Sequence, residues 1–324
     1  MSETLPLVFA ALMGFAILAY VLLDGYDLGV GMLMPAATRE EQDLMVGSIG
    51  PFWDANETWL VLGIGLLLVG FPAAHGVILT ALYLPVAAML VGLMVRGVAF
   101  EFRIKAEGWH RELWNWLFWA GSTLASFAQG FMLGRYVTGF EPGAGYWLFA
   151  VLVGASLCGG YVLLGATWLV LRTEGALQEK SIQWAKWGLM WVALGVALVS
   201  LGTPLVSETV RERWFDFPRT LWLMALPLAT LASGFLLLRS LGKSDWQPYA
   251  CAAGIFALSF AGLAYSLFPY VVIDRLTIWQ AAAHDSALTF VGIGALLVIP
   301  FIFGYTIYSY RVFRGKVRPG AYDH

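Results

Sequence analysis

Asp24-Gly25-Tyr26-Asp27-Leu28-Gly29-Val30-Gly31 places two acidic residues, three apart, inside an apolar run long enough to cross a membrane. Trp53-Asp54-Ala55-Asn56-Glu57-Thr58-Trp59 repeats the arrangement at the start of the next such run. On insertion scales one Asp at a helix centre costs about 2.5–3.5 kcal/mol. Four unrelieved carboxylates would cost roughly 10–14 kcal/mol, comparable to the net stability of a whole domain. They must be protonated, paired, hydrated or close to helix ends. In each case these two segments are the first place to look for function.

The rest of the chain has the same character. Of 324 residues, 60% are hydrophobic and 12% charged, where a soluble domain carries about 25% charged residues. The composition specifies an all-α, polytopic integral membrane protein. Apolar runs occupy 5–34, 51–72, 77–99, 114–134, 146–171, 184–204, 219–241, 247–269 and 287–312, each near or above the ~20 residues a bilayer needs. Nine spans put the termini on opposite sides. With the N-terminus outside and the C-terminus inside, the inner links hold Arg39, Arg96, Arg103, Lys105, Arg111, Arg172, Lys180, Lys186, Arg239, Lys243, Arg311, Arg314, Lys316 and Arg318. The outer links hold Arg135, Arg211, Arg213, Arg219 and Arg275. That asymmetry follows the positive-inside rule, and most tryptophans lie near run ends, as an aromatic belt requires. Met1-Ser2-Glu3-Thr4 lacks the positive region of a secretory signal, so the first run is expected to be retained. No linker, low-complexity tract or clear repeat interrupts the chain, which reads as a single membrane domain, 1–324.

The second span carries a length constraint. Thr58 to Pro72 would give about 22 Å of helix at 1.5 Å per residue, short of a ~30 Å hydrocarbon core. Starting at Pro51, a favoured first helical residue, gives about 33 Å. Asp54, Asn56 and Glu57 then lie in the first turns, with Asp54 and Glu57 on one face. Acidic side chains there complement the helix dipole and cap free N–H groups. Capping alone, or capping joined to a proton or water role, both fit.

Asp24 and Asp27 lie in the C-terminal half of their helix, where the dipole opposes negative charge. Pairing with Arg39 or Arg96 is the structural explanation. Arg96, with Glu101 just beyond it, is either an anchor that snorkels to the interface or the counter-ion of a carboxylate. Gly25, Gly29 and Gly31 fit close helix packing better than phosphate binding, since no strand precedes them. His75, His110, His284 and His324 fall in links or at the terminus, whereas a membrane haem needs axial ligands from helix interiors. Cys158 and Cys251 sit apart in apolar runs and read as packing residues. No metal-binding cluster or nucleotide loop is visible, and nothing points to nucleic acid.

Gly25-Tyr26-Asp27-Leu28-Gly29-Val30-Gly31 after Asp24, together with Ser48-Ile49-Gly50-Pro51-Phe52-Trp53-Asp54-Ala55-Asn56-Glu57-Thr58-Trp59-Leu60, closely resembles subunit II of the cytochrome bd quinol oxidases. The resemblance continues through Arg96-Gly97-Val98-Ala99-Phe100-Glu101-Phe102-Arg103, Gly165-Ala166-Thr167 with Arg172-Thr173, and Phe268-Pro269-Tyr270. Ala55 departs from the family at a position where glycine is common, and the outer link between spans six and seven is short. The resemblance implies two four-helix bundles plus one peripheral helix in a prokaryotic cytoplasmic membrane. It implies a subunit without haem of its own, packed among membrane lipids against a subunit I that carries haem b and haem d. A small single-helix third subunit joins many members, and a structural quinone occupies a groove in some.

Both lines of reasoning lead to one expected mechanism. Oxygen reduction inside a membrane consumes protons, and intramembrane carboxylates are common relays. Asp54 and Glu57 would collect protons at the inner helix entrance and Asp24 would pass them toward the partner. Tyr26, Asp27, Asn56, Arg96 and Glu101 would support the route. The alternatives are a purely structural subunit and a proton-coupled transporter; the repeats and broken helices common in transporters are not evident.

Overall fold

The computed structural model describes residues 3–318; His324 lies outside them. The chain is a succession of helices: α1 (Thr4–Leu33), α2 (Arg39–Ile49), α3 (Trp53–Gly70), α4 (Pro72–Lys105), α5 (Gly108–Val137), α6 (Ala144–Arg172), α7 (Gly175–Val206), α8 (Glu208–Trp214), α9 (Arg219–Leu223), α10 (Ala225–Ser240), α11 (Gln247–Leu267), α12 (Ile278–Ala281) and α13 (Asp285–Val312). A short antiparallel pair, β1 (Tyr270–Val272) and β2 (Leu276–Thr277), precedes α12. Each apolar run read from the sequence falls on a helix, the seventh on α9 and α10 together. Among the described residues, seven helices are long and apolar enough to cross a membrane, or eight if the bent pair α2/α3 counts as one span. Length and composition thus account for seven or eight crossings. The fourth run lies in α5, which has 30 residues but whose Trp, Asn, Ser and Gly content leaves it outside those seven.

The second span begins later than expected. Helix α3 starts at Trp53, and Pro51 lies in the turn that bends α2 against α3 by 51°. Proline has no N–H with which to continue α2; the chain turns through Phe52 N–H to the Ile49 carbonyl at 2.9 Å. The 18 residues of α3 span about 27 Å. Helix α2 was not foreseen, although Thr38-x-x-Glu41 is a capping box. The Thr38 amide donates to the Glu41 carboxylate at 2.7 Å, and the Glu41 amide donates to the Thr38 hydroxyl at 3.4 Å.

Helix α6 is the hub, lying against α1, α5, α7 and α11. Small residues set how closely the hub is approached. A Cβ at Gly29 would lie 1.8 Å from the Tyr161 carbonyl oxygen, and one at Gly165 would lie 2.4 Å from the Val30 amide nitrogen. The α1 and α6 backbones therefore touch, which only glycine permits. Tyr26, Leu28, Tyr161, Leu164, Trp168 and Leu169 fill the core around this contact.

Charged side chains stitch the helix ends together. Around α2, Arg39 pairs with Glu112 at 2.6 Å and Lys180 with Glu41 at 2.7 Å. Asp43 receives Arg103 at 2.6 Å and also Arg111. Asn115 Nδ2 donates to Gln42 Oε1 at 2.7 Å. At the same end, beyond α13, Lys316 pairs with Asp245 at 2.8 Å and donates to the Thr173 carbonyl at 3.0 Å. The Val317 amide there donates to the Arg172 carbonyl at 2.8 Å. Ties among the described residues at the other end include Arg275–Glu141 at 3.1 Å and Arg211–Glu208 at 2.6 Å.

Candidate functional site

Three of the four acidic residues in the two quoted motifs, Asp24, Asp27 and Glu57, converge where α1, α3 and α4 meet. Asp24 and Asp27 lie one turn apart on α1 and are fully buried. The close α1–α6 approach seals one side of them. On the other side α4 delivers Arg96, held by tight packing on α5: a Cβ at Gly121 would lie 2.8 Å from the Arg96 amide nitrogen. The Arg96 guanidinium, 1% exposed, reaches Asp24 Oδ1 at 2.7 Å through Nη1 and Glu57 Oε1 at 3.2 Å through Nη2. One cation thus bridges two carboxylates from different helices. Taking such charges from water is costly, and the attraction offsets it only with good geometry. Glu57 keeps 29% of its side chain exposed and forms the cluster's accessible edge.

Asp27 belongs to a second, adjoining network. Asn56 Nδ2 lies 2.8 Å from Asp27 Oδ2, 2.9 Å from the Tyr26 hydroxyl and 3.2 Å from the Leu23 carbonyl. The Tyr26 and Tyr310 hydroxyls are 2.6 Å apart, and Tyr310 donates to Asn56 Oδ1 at 3.3 Å. Tyr26 stacks on Trp168 with ring centroids 4.0 Å apart, fixing its hydroxyl toward α3 and α13. Tyr310 also borders a shallow groove of about 350 Å³ lined by Leu23, Thr306, Ile307 and Arg311.

Not every residue singled out from sequence joins this centre. Asp24, Asp27, Tyr26, Asn56, Glu57 and Arg96 do. Asp54 is exposed in the first turn of α3, and Glu101 is exposed near the end of α4. Glu57 reaches Arg96, while Asp54, three positions earlier on the same helix, is exposed. Of the two arginines considered as partners for the aspartates, Arg96 makes the pair and Arg39 is engaged by Glu112. Tyr310, and the Tyr20–Gln129–Tyr161 chain beside Asp24, were missed. Each is one polar residue in an apolar run, and its partner lies more than thirty positions away. Among the described residues, no group of three or more His, Cys, Asp or Glu could hold a metal ion. His75 and His110 sit in the first turns of α4 and α5, and His284 caps α13.

A helical, multi-spanning fold with charged groups buried between its helices defines a polytopic membrane protein with a polar centre among its helices. The family model for cytochrome bd terminal oxidase subunit II matches residues 5–313, and the chain belongs to that family. It is accordingly a subunit of a membrane-bound oxidoreductase complex. Among its relatives, cytochrome bd ubiquinol oxidase subunit 2 of Bacillus subtilis (strain 168) is 31% identical over 318 residues, covering 92% of each chain. Cytochrome bd-I ubiquinol oxidase subunit 2 of Escherichia coli (strain K12) is 26% identical over 364 residues, covering 97% of this chain and 96% of that one. A chain in the structure of bd oxidase from Geobacillus thermodenitrificans superposes with a TM-score of 0.80, covering 96% of this chain and 99% of its own. At 15% identity that match speaks for the fold.

Proposed function

We propose that the chain is the haem-free subunit II of a bd-type terminal oxidase that couples quinol oxidation to reduction of oxygen to water, and that it helps bring protons from the cytoplasmic side. It forms one domain, 1–324, of two four-helix bundles and a peripheral helix, spanning the membrane nine times with the N-terminus outside. The excess of Lys and Arg at the end built around α2 supports this orientation. It scaffolds a subunit I that carries haem b and haem d; the placement of His75, His110 and His284 at helix ends supports haem residing on that partner. A small single-helix subunit, lipids and a structural quinone complete the assembly.

The observation that carries the proton role is the Arg96 bridge between partly exposed Glu57 and buried Asp24. Exposed Asp54, one turn before Glu57, gathers protons at the mouth. Glu57 receives them, and Asp24 hands them toward the partner subunit. Arg96 keeps two carboxylates close without the repulsion that would otherwise part them. Asp27, Asn56 and Tyr26 form the fixed wall of the route, and Glu101 adds negative charge near the entrance. The test is turnover of the purified complex with Asp24→Asn or Asp54→Asn. Slower oxygen consumption with unchanged haem content is expected. Normal turnover in both, or joint loss of haem and assembly, would leave only a structural role. That second reading has its own support: the same Arg96 bridge ties α1, α3 and α4 together.

A further inference from the structure

The hydrogen bonds around the Tyr310 hydroxyl, on α13, close into a ring with a defined direction. Asn56 Nδ2 carries two protons and faces Asp27 Oδ2 at 2.8 Å, the Tyr26 hydroxyl at 2.9 Å and the Leu23 carbonyl at 3.2 Å. The Leu23 carbonyl and an ionised Asp27 only accept. Turning the amide over would set Asn56 Oδ1 against both, so its orientation is fixed. Asn56 Oδ1 then lies 3.3 Å from the Tyr310 hydroxyl, and because an amide oxygen cannot donate, Tyr310 does. With that proton committed, Tyr26 is the donor in the 2.6 Å contact between the two hydroxyls. The reverse order would strand both the Tyr26 proton and Asn56 Oδ1, a cost that buried polar groups avoid. Tyr26 thus donates to Tyr310, Tyr310 to Asn56, and Asn56 back to Tyr26. Stacking holds both phenols in place, Tyr310 on Phe52 at 4.5 Å and Tyr26 on Trp168 at 4.0 Å between centroids. The second Nδ2 proton leaves the ring, and Asp27 is the nearer of its two remaining acceptors. Asp27 Oδ1 is buried without a hydrogen-bond partner among the described residues, so the bond from Asn56 is what orients this carboxylate.

We infer that Tyr310 is a positioning residue: by donating to Asn56 Oδ1 it keeps the amide turned so that Nδ2 holds Asp27. The direction of the ring gives its two phenols unequal parts. Without the Tyr26 hydroxyl, Tyr310 still engages Oδ1 and Nδ2 stays on Asp27. Without the Tyr310 hydroxyl, Oδ1 loses its donor and the Tyr26 proton loses its acceptor. Turning the amide over then satisfies both, and takes Nδ2 away from Asp27. The inference deepens the proposed role of Asp27 as a wall of the proton route and rests on that reading for its functional meaning.

The experiment uses the assembled oxidase with isotope-labelled aspartate. The infrared band of Asp27 is isolated as the difference between wild type and Asp27→Asn. Asn56→Leu removes the donor outright and sets the full displacement of that band. Tyr310→Phe is expected to displace it in the same direction, and Tyr26→Phe to leave it close to its wild-type position. In the Asn56→Leu background, Tyr310→Phe should add no further shift. An unmoved band in Tyr310→Phe, or an undiminished Tyr310→Phe shift once Asn56 is Leu, overturns the inference. Should Tyr310→Phe fail to assemble with haem, a band displaced as far in Tyr26→Phe as in Asn56→Leu does the same. A loss of packing alone would not produce this asymmetry, because Tyr26 is the more deeply buried of the two phenols. Turnover of Asp24→Asn separates the two readings: wild-type turnover alongside the unequal shifts removes the relay and leaves the ring standing.

Discussion

Helices α6 and α13 are of similar length, 29 and 28 residues, and both are apolar enough to span a membrane, yet they are used in opposite ways. In its most apolar stretch α6 is 56% buried and α13 6%. Hydropathy decides that both belong in lipid, but it does not decide which packs, because lipid tails are as apolar as leucine. Small residues make the difference. Gly165 of α6 faces the α1 backbone, whereas Gly294 and Gly304 of α13 face open space. The polar centre accordingly sits beside the densely packed α1–α6 contact, and α13 reaches it chiefly through Tyr310.

The largest break in this contrast should come from Arg96→Met. It strands a buried carboxylate in the packed half, a change that costs about 3–5 kcal/mol. Thermal unfolding of the purified complex should show a marked loss of stability. Next is Gly165→Ala: its methyl meets backbone atoms that cannot step aside, so a loss of about 1–3 kcal/mol is expected by the same measurement. Tyr310→Phe removes hydroxyl contacts to Tyr26 and Asn56. It should cost about 0.5–1.5 kcal/mol and leave haem content unchanged. Smallest of all, Gly304→Ala should be neutral to slightly stabilising, by at most about 1 kcal/mol, since it meets nothing and alanine is the better helix former. If Gly304→Ala destabilised the complex as much as Gly165→Ala, the division between a packed and an open helix would fail.

Much of this was legible in the chain before its fold. Runs of apolar residues mark helices because backbone groups in lipid must be satisfied within their own segment. The spacing of Gly25 and Gly29 announced a close contact, and the cost of Asp24 demanded a partner for which Arg96 was a named candidate. What escaped notice has physical causes. Helix α2 is short and polar, so its Thr38–Glu41 cap was overlooked without an apolar run to flag it. Tyr310 meets Tyr26 across 284 positions of sequence; one hydroxyl in an apolar helix carries no local sign of where it will point. Asp54 and Glu57 lie about 60° apart around their helix, yet their surroundings differ: Glu57 reaches Arg96 while Asp54 stays exposed.

The tether beyond α13 has a practical use. Val317 is bonded to the Arg172 carbonyl and Lys316 to Asp245 and Thr173, so this segment is moored over the end of α6. A thiol-reactive, membrane-impermeant dye directed to a cysteine placed at Val317 would report on a fixed landmark. Labelling in sealed vesicles of opposite sidedness would then reveal which compartment the α2 face of the complex looks into.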